Sequence, residues 1–402
     1  MIANAPRREF ACEFFLLDYK RTLQKKQSTI LFEEKDMYYK KFKDIEISVL
    51  GFGGLRLPVE KGNPDRIDRA EAQKIIDTAI EKGINYFDTA HMYQNGDSER
   101  FLGETLKKYP RESYYLASKF HAENKTDIAA TFEEQLERCQ TEYFDFYLMH
   151  GVDEDNMILY MDEKKGYLDY LLQQKEAGRI RYLGFSSHTT PEKLEEFLNW
   201  YDGFDMALLQ INYVDWNHLD AKGQYEVLTR HNIPVWVMEP MKGGRLSILN
   251  EKASKILKEK RPDRSVSSWG FRFLMSLPNV QTVLSGMSEV EQVLDNAKTF
   301  AEYDPLDDGE LETLWRAKDA YIEDMGVPCS ACRYCCPTCP AGLDIPLLIR
   351  GYNEMKMSDS NWRVAFLESA KSAAECIQCG ACAKMCPQKI NVPEIVKKIS
   401  YE

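Results

Sequence analysis

One cysteine pattern, Cys-x2-Cys-x2-Cys-x3-Cys-Pro, occurs twice near the C-terminus. Cys329, Cys332, Cys335, Cys339 and Pro340 make the first copy; Cys376, Cys379, Cys382, Cys386 and Pro387 make the second. Three close cysteines wrap one face of an iron–sulfur cube, and the fourth, at a turn fixed by proline, reaches across to another cube. The doubled run therefore predicts two [4Fe-4S] clusters in a C-terminal module. Zinc prefers separated Cys-x2-Cys pairs with no third cysteine three residues on. A disulfide framework fits poorly, because no secretory signal is visible. Crossed ligation assigns Cys329, Cys332, Cys335 and Cys386 to one cube, and Cys376, Cys379, Cys382 and Cys339 to the other. Cys335 and Cys336 are adjacent, so either could be the third ligand. The spacing of the second run favours Cys335 and leaves Cys336 as a spare thiol.

A chain of 402 residues is long enough for a large core plus such a module. Eight of the eleven cysteines lie in the two runs, so the remainder reads as a reduced, cytoplasmic protein. A net charge of -12 argues against nucleic acid as a partner. No apolar stretch approaches the ~20 residues of a membrane span. The nearest, Phe10 to Leu17, is interrupted by Glu13 and has no small-residue cleavage site after it. The expectation is a soluble protein with neither nucleic-acid nor membrane partners.

Residues 1–36 show no period, cap pattern or motif, and are expected to be an extension outside the fold. From Met37 the pattern reads as a short hairpin feeding a buried strand. Short apolar runs then alternate with amphipathic stretches. The expected strands are Val49–Phe52, Asn85–Phe87, Tyr115–Ala117, Phe146–Met149, Tyr182–Phe185, Ala207–Ile211, Val235–Met238 and Thr282–Leu284. Helix patterns such as Arg69–Lys82 and Pro191–Trp200 lie between them. Eight strand–helix units of this length predict a (β/α)8 TIM barrel over 37–325. A doubly wound sheet would show a Gly-x-Gly-x-x-Gly turn, and none is present. Residues 326–402 make the second domain. Its spacer, Ile345–Glu375, reads as mostly helical, which predicts a helical dicluster module.

A barrel of this kind carries its chemistry at the C-terminal ends of its strands. The second strand is followed by Asp88-Thr-Ala-His-Met-Tyr93, the third ends at Lys119 and the fourth at His150. These four residues suit proton-coupled hydride transfer. A free phenol has a pKa near ~10, and a neighbouring ammonium eases its ionisation. An aspartate holds the lysine, and a histidine orients a carbonyl. Singly, each has a plainer role: a helix cap, a packed ring, an ion pair, a core imidazole. Their convergence on one rim favours catalysis.

With these residues the chain resembles the aldo-keto reductases, from about Met37 to Glu323. The matches are Phe-Asp88-Thr-Ala-His-Met-Tyr93, Gly96-Asp-Ser98-Glu99, Ser118-Lys119, Leu148-Met-His150, Gly184-Phe-Ser186-Ser-His188 and Gln210-Ile-Asn212-Tyr213. The resemblance implies a catalytic tetrad of Asp88, Tyr93, Lys119 and His150, with Tyr93 as proton donor. It implies reduction of a small-molecule carbonyl, or the reverse, with NADPH or NADH. Ser186, Ser187 and Gln210 would hold the nicotinamide carboxamide. Glu239-Pro-Met-Lys242-Gly243-Gly244 would form the loop under the pyrophosphate. Ser285, Gly286, Gln292 and Asn296 would sit at the adenosine end. The whole chain is similar to an iron–sulfur subgroup of that family with a ferredoxin-type C-terminal domain, which leaves room for a redox partner protein. Two departures stand out. Met238 occupies a position where the family often stacks an aromatic ring on the nicotinamide. The loop Gly286-Met287-Ser288 offers no cation for a 2′-phosphate. The competing reading from another class is an electron-transfer, scaffold or redox-sensing protein with a non-catalytic barrel. The substrate is not legible, because its pocket comes from loops that no motif fixes.

Overall fold

A computed structural model describes residues 37–323, 326–358 and 371–401. The expected extension over residues 1–36, Cys12 included, lies outside the described residues, as does part of the helical spacer.

Ten strands appear among the described residues. β1 (Tyr39–Phe42) and β2 (Ile45–Ser48) form an antiparallel hairpin. β3 (Leu50–Gly53), β4 (Tyr86–Asp88), β5 (Tyr115–Phe120), β6 (Phe144–Val152), β7 (Ile180–Ser187), β8 (Met206–Gln210), β9 (Val235–Met238) and β10 (Val280–Ser285) form a closed barrel in which each strand pairs with the next and β10 returns to β3. Every barrel pairing is parallel. All eight expected strands overlap these. Parallel strands are buried on both faces, so they read as continuous apolar runs rather than alternating ones. β6 is the example, buried at every residue except Gly151.

The hairpin closes the N-terminal end of the barrel. Phe42 inserts between Tyr182 and Trp236, its ring centroid 5.0 Å from each. Tyr86, Phe146 and Leu208 join them in a core cluster that fills the interior. The barrel is thus a packed core with one rim free for chemistry.

Helices follow most barrel strands, and several begin where the sequence supplies a cap. Asp68 accepts from the backbone N–H groups of Ala70 and Glu71 at the start of Arg69–Glu81. Thr190 does the same for Lys193 at the start of Pro191–Trp200, where proline occupies the first turn. Such caps satisfy the orphan N–H groups of a first turn. The helix Arg69–Glu81 then buries Ala72, Ile75, Ile76 and Ala79, one face at helical spacing.

The C-terminal module holds the helices Ile345–Ser358, Ala381–Lys384 and Val392–Tyr401. They surround a small core that includes Val327, Leu348, Ile349 and Val396. No strand appears in it among the described residues, in line with the helical expectation. No described helix is long and apolar enough to cross a membrane. The module sits against the C-terminal rim of the barrel. The carbonyl of its Ser330 lies where a Cβ on Gly243 would meet it at 2.1 Å, so only glycine permits this approach. Gly243 also has φ 68°, a conformation that favours glycine.

Candidate active site

Asp88 ends β4 and Lys119 lies in β5, in register beside β4 and β6. The Lys119 ammonium donates to Asp88 Oδ1 at 2.5 Å and to the carbonyl of Thr89 at 2.7 Å. It also reaches the Tyr93 hydroxyl at 3.4 Å. Tyr93 is brought there by a tight turn in which Gln94 and Asn95 both take positive φ, with the Gln94 amide donating to the carbonyl of Leu55 at 2.6 Å. His150, in β6, sets its ring edge-on to Tyr93 with centroids 6.1 Å apart. All four expected tetrad residues are therefore brought together, and all four are buried.

A second layer holds Lys119 in place. Glu99 is fully buried and accepts from Ser118 at 2.7 Å and Gln135 at 2.6 Å. Gln135 also donates to the Lys119 carbonyl at 3.0 Å. Glu99 and Ser118 thus meet beside the lysine, while Ser98 accepts from the Thr89 hydroxyl at 2.9 Å and donates to the Gly54 carbonyl at 3.2 Å.

Burial dominates the electrostatics. It raises the Asp88 carboxyl and lowers the Lys119 ammonium, while each charge opposes the shift in the other. Burial, then Tyr334 and Asp88, hold the Tyr93 phenol well above its ordinary value. The sequence reading has the ammonium easing Tyr93 ionisation; in the folded chain burial outweighs it, and the phenol stays protonated. His150 is pushed well below the usual imidazole range by burial first and by Lys119 second. It is a neutral ring at ordinary pH.

Two cavities open at this rim. The first, of about 520 Å³, is lined by Asp88 and Tyr93 and by eight of the expected cofactor residues: Gln210, Met238, Gly243, Gly244, Ser285, Gly286, Gln292 and Asn296. Ser186, Ser187 and Lys242 do not line it. Ser186 accepts from the backbone of Gly151 at 2.7 Å, behind His150. Lys242 is fully buried in an ion pair with Asp215 at 2.7 Å, so it is removed from any 2′-phosphate. The lining also holds residues that the sequence reading missed. Arg56 is the one arginine or lysine in the described lining; its guanidinium donates to the Ser330 carbonyl at 2.6 Å and to Glu239 at 3.2 Å. Tyr334 and Gln388 reach in from the module. Nothing in their spacing marks them, since each sits inside or just beyond a cysteine run. Asp88 Oδ2, Glu239 Oε2 and Ser330 Oγ are buried without a partner. Such orphaned atoms on a cavity wall suit a polar ligand that would satisfy them.

The second cavity, of about 430 Å³, is lined by His121, His150, His188 and Tyr334, and by the carboxylates Glu123, Asp153 and Asp155. Lys384, Lys389 and Cys386 close it from the module side. Burial lowers His121 and His188 to about 4, so their rings too are neutral. Tyr334 stands between the cavities. It shares a hydrogen bond with the Tyr93 hydroxyl, and its ring lies 6.3 Å from that of His150.

In the module, Cys339 joins Cys376, Cys379 and Cys382 around one chamber walled by Leu343, Ile345, Val392 and Val396. Cys386 instead lies close to Cys329, Cys332 and Cys335. Both groupings cross between the runs. Cys336 shares a hydrogen bond with Cys335 and lies close to Arg333 and Asp344 as well, so the two adjacent thiols stand side by side. No three of His, Cys, Asp or Glu converge on a single-ion site among the described residues. A cube is wider than an ion and asks for thiols spaced around a chamber, as these are. Seven of the eight thiols are buried or half-buried and Cys379 is exposed; two groups of four thiols suit two such cubes, and the eight residues fit them.

The comparisons with known proteins agree with this layout. The model of the aldo/keto reductase family matches residues 49–318, and that of a 4Fe-4S dicluster domain matches residues 328–390. The uncharacterized oxidoreductase YqkF of Bacillus subtilis is 29% identical over 284 residues, covering 63% of this chain and 87% of that protein. L-galactose dehydrogenase of Arabidopsis thaliana is 24% identical over 295 residues, covering 65% and 87%. Among solved structures, the holo form of aldo-keto reductase AKR11C1 from Bacillus halodurans aligns with a TM-score of 0.58 and 27% identity, over 70% of this chain and 96% of that one.

Proposed function

Because this chain belongs to the aldo/keto reductase family and ends in a 4Fe-4S dicluster domain, we propose that it is a nicotinamide-dependent carbonyl oxidoreductase with an electron relay at its rim. Oxidoreductase chemistry comes with the family. The nicotinamide, the proton donor and the relay are our reading. The observation that carries it is the Tyr93 hydroxyl, 3.4 Å from the Lys119 ammonium, on the wall of the 520 Å³ cavity.

The bound dihydronicotinamide would supply the hydride, as an aldo-keto reductase of Klebsiella pneumoniae with a similar fold was solved in complex with NADPH. The chain does the rest. The neutral His150 ring and the Tyr93 hydroxyl face a carbonyl oxygen from two sides. As negative charge develops on that oxygen, Tyr93 gives up its proton. Lys119 stabilises the phenolate left behind, and Asp88 keeps Lys119 in place. The substrate enters through the second cavity, where imidazoles, carboxylates and lysines favour a small hydrophilic carbonyl compound over an apolar one.

The clusters would supply one-electron transfer. Cys332 lines the first cavity and Cys386 the second, so the inner cube meets the chemistry. Cys379, of the other group, is exposed, and Ile377 beside it is 66% exposed. That arrangement suits a path from a protein donor at the surface to a one-electron acceptor bound in the pocket, separate from the two-electron hydride transfer. Equilibrium titration of the holoprotein with NADH and NADPH tests the enzyme reading. Micromolar binding of either supports it; no binding of either leaves electron transfer without nicotinamide catalysis.

A further inference from the structure

The loop that carries Cys386 runs on through Pro387 to Gln388, and Gln388 is buried in the mouth of the barrel at 4% exposure. Its amide oxygen accepts from Lys242 Nζ at 2.6 Å, and its amide nitrogen donates to Gln210 Oε1 at 2.9 Å. The Gln210 nitrogen donates to Asp215 Oδ2 at 2.8 Å, and Asp215 Oδ1 accepts from Lys242 at 2.7 Å. The four side chains close a ring.

Only one sense of this ring is allowed. A lysine ammonium has donors alone, and an ionised aspartate has acceptors alone. Lys242 therefore fixes the oxygen of Gln388, which turns its nitrogen to Gln210. Asp215 fixes the nitrogen of Gln210, which turns its oxygen to Gln388. Flipping either amide would set donor against donor and acceptor against acceptor at both of its contacts. With the ring closed, Gln210 keeps one N–H and one oxygen lone pair, and it lines the first cavity.

We propose that Gln388, supplied by the cluster-binding module, is a positioning residue of the nicotinamide site: together with Asp215 it holds the Gln210 amide in the orientation that reads the carboxamide. This rests on the nicotinamide reading above. It makes the barrel site incomplete without the module, and it joins the loop of Cys386 to cofactor recognition through two residues of chain. A residue that only docked the module would not discriminate between carboxamide and its analogues.

The test uses holoprotein and two ligands, NADH and reduced 3-acetylpyridine adenine dinucleotide. The analogue keeps the carbonyl but replaces the amide NH2, which would donate to Gln210 Oε1, by a methyl group. Wild type should bind NADH more tightly than the analogue. Gln388→Met keeps the volume and removes both hydrogen bonds. It should weaken NADH about tenfold, leave the analogue within about twofold, and keep the visible absorbance of the clusters, since a lost amide hydrogen bond is worth about one decade of affinity. Equal weakening of both ligands, or of neither, overturns the proposal. If Gln388→Met loses cluster absorbance, Gln388→Glu decides. Glutamate still accepts from Lys242 but cannot donate to Gln210, so discrimination should collapse; wild-type discrimination in that variant overturns the proposal. Wild type binding neither dinucleotide overturns the nicotinamide reading itself, which is a separate result.

Discussion

At the scale of the residue, Tyr93 carries the sharpest expectation. Its hydroxyl is the proposed acid, and losing a general acid costs ~10²–10⁴ in rate. Tyr93→Phe should therefore lose that much turnover while the dissociation constant of the dinucleotide stays within about threefold, because a phenyl ring preserves the cavity wall. Wild-type turnover in the variant would remove Tyr93 from the mechanism. The histidines give a second expectation. Burial lowers His121 and His188 to about 4, and His150 is lowered as well. A lowered imidazole stays neutral until the pH falls through its shifted value. Imidazole NMR signals of these three should then not move between pH 8 and pH 5, and a midpoint near 6.5 for any of them would contradict the burial that causes the shift. Arg56 bears on the third. It is the one arginine or lysine in the described lining of the first cavity, and it is held by Glu239, while Glu291 and Asp295 line the same cavity. A 2′-phosphate would gain little there, so NADPH and NADH should bind within about tenfold of each other. A preference above ~10²-fold for NADPH, worth ~2.7 kcal/mol, would show that Arg56 swings to the phosphate. The four proposed catalytic residues were legible because each lies at or just beyond the C-terminal end of a strand. Tyr334 and Gln388 were not, because their roles arise only when a distant module docks. Lys242 was placed in the pyrophosphate loop by resemblance, and only the fold reveals the buried Asp215 beside it.

At the scale of the element, the barrel strands could be read because burial on both faces leaves an apolar run. Their bounds could be read in part: β9 matches the expected Val235–Met238, whereas other strands run longer. β6 runs from Phe144 to Val152, beyond the expected Phe146–Met149, since strand ends are set by pairing with β7 rather than by local composition. Two helices, Met157–Met161 and Tyr167–Glu176, follow it after a polar loop, where the strand–helix pattern expects one. One ion network ties the last barrel helices together. Arg272, on Val266–Met275, donates to both oxygens of Glu310, on Asp308–Glu323, at 2.9 Å and 2.6 Å, and Arg261 adds a third contact at 2.7 Å. Burial works to raise the Glu310 carboxyl, but the Arg272 hydrogen bond, the Asp307 backbone and Arg261 together bring it down to about 2. A carboxylate with a depressed folded pKa contributes stability that is present above its unfolded value and is lost as pH falls through the folded one. Here that window runs from ~4.3 down to ~2. With 3% side-chain exposure, the shift is worth about 3 kcal/mol at 1.36 kcal/mol per unit. Glu310→Gln should lower stability at pH 7 by ~2–4 kcal/mol, since it leaves buried Arg272 with a weaker partner. Its denaturation midpoint should also fall less steeply than wild type below pH ~4.5. Parallel acid curves for the two proteins would place the pH dependence elsewhere.

At the scale of the whole molecule, the doubled cysteine run announced the module, and its spacing alone suggested the crossing. The place of the module on the active rim was not in that spacing. It follows from the Gly243–Ser330 approach and from the burial of Gln388, which are tertiary facts. The crossing can be tested without knowing the substrate. Cys329 belongs to the first cube and Cys376 to the second under either wiring, so Cys329→Ala and Cys376→Ala supply reference spectra for the loss of each cube. Cys386 lies among Cys329, Cys332 and Cys335, while Cys339 shares the chamber of Cys376, Cys379 and Cys382. Reduced with dithionite, Cys386→Ala should keep roughly half of the iron and give the electron paramagnetic resonance spectrum of Cys329→Ala, because removing one of four thiolates opens that cube to loss. Cys339→Ala should match Cys376→Ala. A spectrum of Cys386→Ala that matches Cys376→Ala would mean that each run keeps its own cube. The same variants separate a relay from a staple. The inner cube borders both cavities, so a relay should show a shift in its reduced spectrum when a dinucleotide binds, whereas the outer cube beside exposed Cys379 should not respond. Two cubes that stay oxidised under every low-potential donor would leave the module with a structural role alone.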